Sequence, residues 1–396
     1  MTLATRSSIA ALAVLLPTLL TGCTGIEDDP IADTQESSTL RTTLQDHLDS
    51  LNAAGITGLL AEVHVGHQRL QARSGVARVE DHRPVPWNAR FRMGSVTKTF
   101  VAVVVLQLVG EGRLSLEDSV EKWLPGVVVG HGYDATRITV RNLLQHTSGI
   151  FNYTADVFAT MTAESFQATR LDHYEPEDLV AMAIQHPPDF APGTSWSYSN
   201  TNYILAGMII ERVTGRPWPV EVRRRILRPL DLSDTLEPGD DPDLHGPHAH
   251  GYQQFAEDGP LVDATRLNHT VAGAAGSLIT TTEDLSTFLR ALQQGRLLRP
   301  AEMAEMHRTV PATELDPVMP GLRYGLGLMQ FPSSCGRPYW SHFGDTLGFS
   351  TRDAVSADGR RSVVVSLSAS PTGEPTLGIL AENLALLDDV MCDGAP

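Results

Sequence analysis

The amino-acid sequence predicts an α+β fold, with one antiparallel sheet flanked by N- and C-terminal helices and an all-α lobe inserted between its halves. Three observations indicate this fold: a helical pattern and two strands open the chain, helical patterns fill its middle, and strands followed by a helix close it. We expect a single domain over residues 39–392, with the lobe at about 113–295. A cleft between lobe and sheet is then the expected ligand site.

The first elements of the domain alternate between helical and strand patterns. Leucines at helical spacing predict a helix over Leu40–Leu51. Gly58–His64 and Leu70–Val79 follow as strands, separated by a turn at Gly66. Thr97–Val109 is apolar on almost every side, which predicts a central buried helix.

The pattern changes near Tyr324 from helical to strand-like spacing. Before it, helices are predicted over Val140–His146, Pro176–Gln185, Thr201–Thr214, Val220–Leu227 and Thr282–Gln293. After it, strands are predicted over Tyr324–Phe331, Tyr339–His342, Phe349–Val355 and Ser362–Ser368. Asp358-Gly359 predicts a hairpin between the last two strands, and an amphipathic helix over Leu377–Val390 closes the chain.

Charge and composition limit the classes of partner. The formal net charge of −17 argues against nucleic acid and against electrostatic docking to an anionic membrane. The basic residues are nearly all arginine, since Lys98 and Lys122 are the only lysines. Because lysine can lose its proton in a protein and arginine cannot, these two positions are informative about acid–base chemistry.

Residues 1–22 are typical of an export signal peptide, because the apolar run Ile9–Leu20 is too short to cross a bilayer. The run ends in Leu20-Thr21-Gly22-Cys23, which resembles a bacterial lipobox and predicts lipidation of Cys23. An acidic, flexible tether is expected over residues 23–38. The alternative is ordinary cleavage, with Cys23 discarded or idle. We expect an exported protein, lipid-anchored to the bacterial cell envelope or secreted, whose membrane contact is limited to that anchor.

The two remaining cysteines are Cys335 and Cys392. Two cysteines in an exported chain favour a disulfide, which would pin the C-terminal helix to the sheet. The alternative is a pair of unpaired buried thiols.

Ser95 and Lys98 stand three residues apart at the start of the predicted buried helix, after Gly94. Positions three apart lie on one helix face, and a desolvated lysine can take the proton of a serine hydroxyl. The helix N-terminus also places a backbone N–H beside the serine. The alternative is a helix-capping serine with a solvated lysine, but the apolar run Phe100–Leu106 opposes it.

Two further segments carry groups that such a serine needs. Tyr198 and Asn200 open the Thr201 helix; the phenol can relay a proton and the amide can bind both Lys98 and a substrate carbonyl. In isolation, this segment is better interpreted as a helix cap, by Ser199 or Asn200, with a packed tyrosine. His342-Phe343-Gly344-Asp345 lies on a strand whose edge can bind an extended substrate and supply a second N–H.

In this order, Ser-x-x-Lys, Tyr-x-Asn and His-x-Gly resemble the motifs of the penicillin-recognising serine hydrolases, specifically the class C β-lactamases and secreted serine D-alanyl-D-alanine carboxypeptidases. The likeness runs from about Leu51 to Cys392. It includes the blocks Arg92–Lys98, Leu143–Gly149, Tyr198–Asn202 and Tyr324–Leu328.

The resemblance implies a β-lactamase/transpeptidase-like fold, an acyl-enzyme at Ser95 and no metal or cofactor. It implies that Lys98 and Tyr198 share acid–base work and that Asn200 orients the substrate. The backbone N–H groups of Ser95 and Asp345 would form the oxyanion hole, and His342 would line the opposite wall. Cys335 and Cys392 stand where the secreted carboxypeptidases carry a disulfide.

The third motif departs from that of the carboxypeptidases, whose two threonines bind the substrate's terminal carboxylate. Phe343 and Asp345 stand in their places, and Met329 replaces an assisting arginine. Each charge-assisted hydrogen bond lost is worth about 1.5–3 kcal/mol, and Asp345 adds repulsion. We therefore expect a preference for neutral esters or amides, or for an amine that Asp345 can pair. Against this, Arg352 on the next strand is a candidate for the missing cation.

Several activities follow from these motifs. Overall resemblance predicts a D-alanyl-D-alanine carboxypeptidase-like peptidase acting on small peptides, whereas the altered third motif favours an esterase, D-amino-acid amidase or aminopeptidase. A β-lactamase would differ only in how fast water clears the acyl-enzyme. A non-catalytic penicillin-binding sensor is the alternative of another class, but a pure binder does not need Ser95, Lys98, Tyr198 and Asn200 together. A monomer is expected.

Other conspicuous residues have a structural interpretation. His146 is interpreted as a core histidine with satisfied hydrogen bonds. His245, His248 and His250 form a short tract in a loop, because no acidic or cysteine partner has metal-ligand spacing. Phe158 is a candidate for the cleft wall, with plain packing as the alternative.

Overall fold

The computed structural model of the protein describes residues 30–257, 259–372 and 375–393. The expected signal peptide, Cys23 and the first part of the expected tether lie outside these residues, so those expectations stay predictions. Within the described ranges, no helix is both long and apolar enough to cross a bilayer.

Helix α1 covers Pro30–Ala53, so residues 30–38 are helical and the prediction of a flexible tether is wrong for them. The packed part of the helix begins with Leu40 and continues through Leu44, Leu48 and Leu51, all of them buried. Once these residues form a helix, extending it toward the N-terminus costs little free energy, because each further residue adds one backbone hydrogen bond. Proline is also well suited to the first turn, where its missing N–H is not needed.

The strands in chain order are β1 (Gly58–Val65), β2 (Gln68–Gly75), β3 (Phe91–Arg92), β4 (Tyr252–Gln254), β5 (Leu261–Asp263), β6 (Ile279–Thr280), β7 (Val310–Pro311), β8 (Arg323–Tyr324), β9 (Met329–Phe331), β10 (Tyr339–Ser341), β11 (Gly344–Thr346), β12 (Phe349–Val355), β13 (Arg361–Leu367) and β14 (Ala369–Ser370). Nine of them form one antiparallel sheet in the order β2-β1-β13-β12-β10-β9-β8-β7, with β11 also paired to β12. The N-terminal hairpin and the C-terminal strands thus complete one sheet, as predicted.

The helices after α1 are α2 (Thr97–Gly110), α3 (Val120–Trp123), α4 (Val140–Gln145), α5 (Thr154–Phe158), α6 (Ala163–Thr169), α7 (Pro176–Ala183), α8 (Thr201–Thr214), α9 (Trp218–Val222), α10 (Arg228–Leu230), α11 (Gly273–Gly276), α12 (Thr282–Gln293), α13 (Pro300–Met306) and α14 (Pro375–Cys392). A single π-helical turn, Arg223–Leu227, joins α9 to α10. The bounds of α8 and α12 match the prediction, because strong apolar periodicity coincides there with end signals such as the left-handed Gly215 after α8.

The inserted lobe is not all-α. It contains β4, β5 and β6, and β4 pairs in parallel with β14 near the chain's end. The pairing of Tyr252 with Ala369 therefore ties the lobe to the sheet. The sequence did not predict these strands, because segments of two or three residues carry almost no periodic signal. The pairing of β4 with β14 also joins segments far apart in the chain.

The predicted strand Tyr324–Phe331 is in fact two short strands, β8 and β9, joined by a loop that packs on α2. Gly327 has a φ of 72°, and a Cβ there would lie 2.6 Å from Ala102 Cβ. Thr99 Oγ1 donates a hydrogen bond to the Gly327 carbonyl at 2.8 Å. Only glycine permits both this backbone conformation and this close approach, so the loop interrupts the strand.

Two apolar cores lie on opposite faces of the sheet. One joins α2, α8 and α12 to the lobe-facing side, and the other joins α1 and α14 to the opposite side. Helix α2 is central to the first core, because eleven of its fourteen residues are buried. The α+β fold class, with a sheet, terminal helices and an inserted helical lobe, is confirmed.

Candidate active site

Ser95 lies in a short 3-10 turn, Gly94–Val96, between β3 and the buried helix α2. Gly94 has a φ of 54°, in the left-handed region that favours glycine. A Cβ at Gly94 would also lie 2.8 Å from the backbone nitrogen of Asp345. The turn therefore depends on this glycine, which lets β11 approach the serine.

Lys98 is fully buried one turn after Ser95. Its Nζ lies 2.9 Å from Ser95 Oγ, 2.7 Å from Asn200 Oδ1 and 2.7 Å from the Ala275 carbonyl oxygen. Burial lowers the pKa of Lys98 well below its ordinary value, since none of these partners is charged. A neutral amine has two N–H groups for the two carbonyl oxygens and one lone pair for the Ser95 hydroxyl. This geometry suits a base that accepts the serine proton.

Tyr198 covers the other side of this pair. Its ring centroid lies 4.9 Å from Lys98 Nζ. Burial raises the pKa of Tyr198, although a side-chain interaction with the Ser95 hydroxyl partly opposes this. The phenol therefore keeps its proton at neutral pH and is available as a hydrogen-bond donor beside the serine.

Asn200 is held by partners that the sequence alone did not identify. Its Nδ2 donates to Asn152 Oδ1 at 3.3 Å and to Thr154 Oγ1 at 3.2 Å, which directs Oδ1 toward Lys98. Asn152 Oδ1 also accepts from the backbone N–H of Asn200 at 3.1 Å. The predicted contact of Asn200 with Lys98 is present, and the Asn200 amide N–H groups are already engaged by the loop before α5 and by the first residue of α5.

The sequence also did not predict the Ala275 carbonyl as a partner of Lys98, because any residue can supply a backbone acceptor. The one available signal is composition: Ala272–Gly276 contains only alanine and glycine. Small side chains let this segment approach the start of α2 closely, and α11 contacts both α2 and the Ser95 turn.

His146 is buried beneath Tyr198, with ring centroids 4.3 Å apart. Its Nδ1 accepts hydrogen bonds from the Ser199 N–H at 3.2 Å and from Asn202 Nδ2 at 3.1 Å. Its Nε2 has no partner among the described residues. Burial lowers the pKa of His146 well below its ordinary value, and nearby Lys98 adds to this effect. The neutral ring thus packs against Tyr198 and holds the Ser199 backbone. The expectation of a core histidine with satisfied hydrogen bonds holds for Nδ1 but not for Nε2.

The third motif does not place His342 in the cleft wall, which corrects the sequence-based expectation. His342 is fully buried; its Nε2 lies 2.9 Å from Tyr324 Oη and its Nδ1 2.8 Å from the Phe343 carbonyl oxygen. Burial and the nearby Lys98 lower its pKa to about 3. Side chains alternate along extended chain, so Phe343 and Asp345 face the cleft while His342 faces the core.

Gly344 also lies outside the cleft lining, at the contact between β11 and the Ser95 turn. A Cβ there would lie 1.9 Å from the Met93 carbonyl oxygen and 3.1 Å from the Ser95 nitrogen. With the contact of Gly94 to Asp345, this places the backbone nitrogens of Ser95 and Asp345 side by side. Two neighbouring N–H groups next to a nucleophile are the arrangement that stabilises an oxyanion.

Arg352 on β12 lies beside Asp345. The two form an ion pair, with Arg352 Nη2 2.9 Å from Asp345 Oδ1. The guanidinium also lies over the Phe343 ring, 4.9 Å from its centroid, and donates to the Thr351 carbonyl at 2.9 Å. Arg352, the candidate for the missing carboxylate-binding cation, therefore lies in the cleft, but it is already paired with Asp345.

The cleft that contains Ser95, Tyr198 and Asn200 has a volume of about 890 Å³. Apolar side chains line much of it: Val157, Phe158, Met161, Leu267, Leu315, Met319, Met329, Phe343, Leu347, Ile379 and Leu380. Phe158 is 44% exposed at this surface, so it is a wall residue rather than core packing. A cleft of this size and polarity suits a small organic or peptide ligand.

Two further predictions concern cysteines and histidines. Cys335 and Cys392 form a disulfide with Cα atoms 5.7 Å apart, which joins α14 to the loop after β9. His245 and His250 each contact a single carboxylate, Asp241 and Asp263 respectively. No group of three potential metal ligands occurs among the described residues.

Comparison with known proteins identifies relatives over most of the chain. A family model described as beta-lactamase matches residues 41–387. A D-stereospecific amidohydrolase from Streptomyces sp. is 43% identical, with a TM-score of 0.79, over 86% of this chain and 98% of that one. D-amino acid amidase from Ochrobactrum anthropi SV3, complexed with D-phenylalanine, is 25% identical, with a TM-score of 0.76, over 89% and 99%.

Curated relatives match over a smaller part of their own length. Penicillin-binding protein 4* of Bacillus subtilis (strain 168) is 27% identical over 73% of this chain and 63% of that protein. The chain spans between 48% and 63% of the length of the first curated relatives it matches. The extent of the family match and the shared fold lead to one conclusion: the chain belongs to the β-lactamase family and is a serine hydrolase of the superfamily that also contains the penicillin-binding proteins.

Proposed function

We propose that this protein is a D-stereospecific amidohydrolase that cleaves D-aminoacyl amides through an acyl-enzyme at Ser95. The observation that carries the proposal is the buried Lys98 amine, which contacts Ser95 Oγ and two carbonyl oxygens and no carboxylate among the described residues. The likeness to the Streptomyces amidohydrolase and to D-amino acid amidase supports the choice of substrate class.

In the proposed acylation step, Ser95 Oγ attacks the substrate carbonyl carbon while Lys98 Nζ accepts the hydroxyl proton. The backbone N–H groups of Ser95 and Asp345 stabilise the resulting oxyanion. The Tyr198 hydroxyl gives its proton to the departing nitrogen and recovers one from Lys98, and the C–N bond breaks. In deacylation, water attacks the ester carbon and gives a proton to Tyr198 or Lys98. The same groups return a proton to Ser95 Oγ as its bond to the acyl carbon breaks, which releases the D-amino acid.

The side of the cleft next to Tyr198 supports a neutral leaving group. Met329 and Phe343 present apolar surface there, together with Leu315 and Met319. A free carboxylate would lose its water against such surface, which is costly without a matching donor. Ammonia, an amine or an alcohol leaves without this cost, so amides and esters are the favoured substrates.

A substrate panel tests the proposal: D- and L-phenylalanine amide, D-phenylalanine methyl ester, D-phenylalanyl-D-alanine and its C-terminal amide, and a cephalosporin. We expect hydrolysis of the D-amides that disappears in Ser95→Ala. A fluorophosphonate should label the wild-type protein and not this variant. Faster cleavage of L- than D-amide, or of the free acid than its amide, would contradict the proposal.

The second candidate is a D-alanyl-D-alanine carboxypeptidase-like activity, because Arg352 does supply a cation inside the cleft. The same panel separates the two, since this activity requires selective cleavage of the free acid. Export, lipid attachment at Cys23 and a monomeric state are also proposals, which rest on the sequence alone.

A further inference from the structure

The ion pair between Asp345 and Arg352 lies in the cleft wall close to the nucleophile. Arg352 is 12% exposed, whereas the Asp345 side chain is 62% exposed. The carboxylate therefore lies on the solvent side and covers the guanidinium.

Arg352 is held in place by neighbours that do not depend on Asp345. Its Nη1 donates to the Thr351 carbonyl at 2.9 Å, and its guanidinium lies over the Phe343 ring. Its Nε has no partner among the described residues. Loss of the Asp345 charge would thus leave the Arg352 guanidinium in the same position, with its Nη2 donor free and its positive charge without the carboxylate that now pairs it.

We propose that Asp345 determines specificity by masking Arg352, so that the cleft rejects substrates that end in a free carboxylate. A ligand carboxylate that approaches Arg352 has to displace Asp345 from Nη2 and also meets its negative charge. A neutral amide meets neither obstacle. The inference deepens the proposed function and rests on it for the choice of ligands, but its test does not depend on turnover.

Other charges of the cleft allow this idea to be distinguished from a general charge effect. Arg170, Asp172 and Glu314 also line the cleft. Glu314 accepts hydrogen bonds from Ser197 Oγ and from the Tyr198 N–H, and no ion pair joins it to Arg352 among the described residues. Asp172 is an exposed carboxylate that also lines the cleft, between α6 and α7. Replacing Asp172 by asparagine removes one negative charge without unmasking Arg352, and it is therefore a matched control.

The experiment measures binding in full-length Ser95→Ala protein, which cannot be acylated. The ligands are D-phenylalanyl-D-alanine and its C-terminal amide, titrated by calorimetry. In this background, Asp345→Asn should raise the ratio of acid to amide affinity about tenfold or more, because a charge-assisted hydrogen bond becomes available. Adding Arg352→Gln to Asp345→Asn should remove the gain, and Asp172→Asn should leave the ratio near that of the parent.

The inference is overturned by an unchanged ratio in Asp345→Asn, by an equal rise in Asp172→Asn, or by a rise that persists without Arg352. Absence of measurable binding of the free acid to Asp345→Asn protein would also overturn it. Failure of the proposed function appears elsewhere, as lack of Ser95-dependent hydrolysis of D-phenylalanine amide by the wild-type enzyme.

Discussion

Asp353 Oδ1 accepts a hydrogen bond from the backbone N–H of His342 at 2.9 Å. The bond lies at the break between β10, which ends at Ser341, and β11, which begins at Gly344. Ser341 Oγ lies 3.0 Å from the same carboxylate oxygen, while Oδ2 has no partner among the described residues. The carboxyl group thus replaces a strand partner at this bend, and it helps to hold β11 against the Ser95 turn.

The buried Asp353 carboxyl should make stability depend on pH. Burial raises its pKa from 3.8 to about 7, although the His342 N–H, the Ser341 hydroxyl and Arg352 oppose this. A folded-state pKa above the unfolded one contributes stability that is present at low pH and is lost as the pH rises through 7. Asp353→Asn keeps the acceptor and removes the titration. Between about pH 5.5 and about pH 8.5, the wild type should lose about 2 kcal/mol of unfolding free energy relative to this variant.

Urea unfolding of both proteins at the two pH values measures this difference. Asp353→Leu is the control, because it also removes the acceptor for the His342 N–H and should be less stable than Asp353→Asn at both. A wild-type-to-Asp353→Asn difference that does not change with pH would show that the carboxyl titrates normally.

Replacement of Lys98 should abolish acylation whether or not the positive charge is kept. Lys98→Arg places a group that cannot lose its proton in a fully buried site, and Lys98→Met removes the base. We expect both variants to lose about a thousandfold or more in kcat/KM. Lys98→Arg should also lower the melting temperature more than Lys98→Met, because it buries a permanent charge.

Lys122, the other lysine, provides the matched control for these variants. It is exposed and pairs with Asp118 at 2.6 Å, so Lys122→Arg should leave activity and melting temperature unchanged. Fluorophosphonate labelling of Lys98→Arg at the wild-type rate would refute the role of Lys98 as the base.

Gly344→Ala should separate β11 from the nucleophile. The added methyl would meet the Met93 carbonyl oxygen at 1.9 Å, and because this neighbour is backbone, one of the two segments has to move. The Asp345 N–H would move with it, so kcat/KM should fall about a hundredfold or more while KM changes little. Gly378→Ala is the control: it lies on the exposed face of α14 with no atom within 4 Å of the new methyl, and it should leave kcat/KM unchanged. Wild-type kcat in Gly344→Ala would indicate that this contact does not position the oxyanion hole.

Loss of the disulfide should weaken the attachment of α14. Cys335 and Cys392 are 57 residues apart, and closing a loop of that size is worth about 4 kcal/mol in the chain-entropy description. The Cys335→Ser/Cys392→Ser double variant should therefore unfold at lower urea concentration. Wild-type protein in a reducing agent should shift to the same midpoint, and equal midpoints with and without reductant would show that the bond is not formed.

The sequence by itself determined the order of the elements and the residues near the nucleophile. The three-residue spacing of Ser95 and Lys98 brings them together on a helical backbone, here the 3-10 turn that leads into α2. The apolar run that follows requires α2 to be buried. The hairpin at Asp358-Gly359 and the bounds of α8 were predictable for the same reason. All of these are short-range patterns, which local geometry converts directly into structure.

Only the tertiary structure decided which groups meet around that helix. The Ala275 carbonyl accepts a hydrogen bond from Lys98, and the Asn152 side chain accepts one from Asn200. Both acceptors come from distant segments, and their residue types do not identify them as partners of the site. The single-residue alternation of an extended chain turned His342 into the core and Asp345 into the cleft. The pairing of Asp345 with Arg352 depends on the register between β11 and β12, which long-range packing sets and which decides what can approach Ser95.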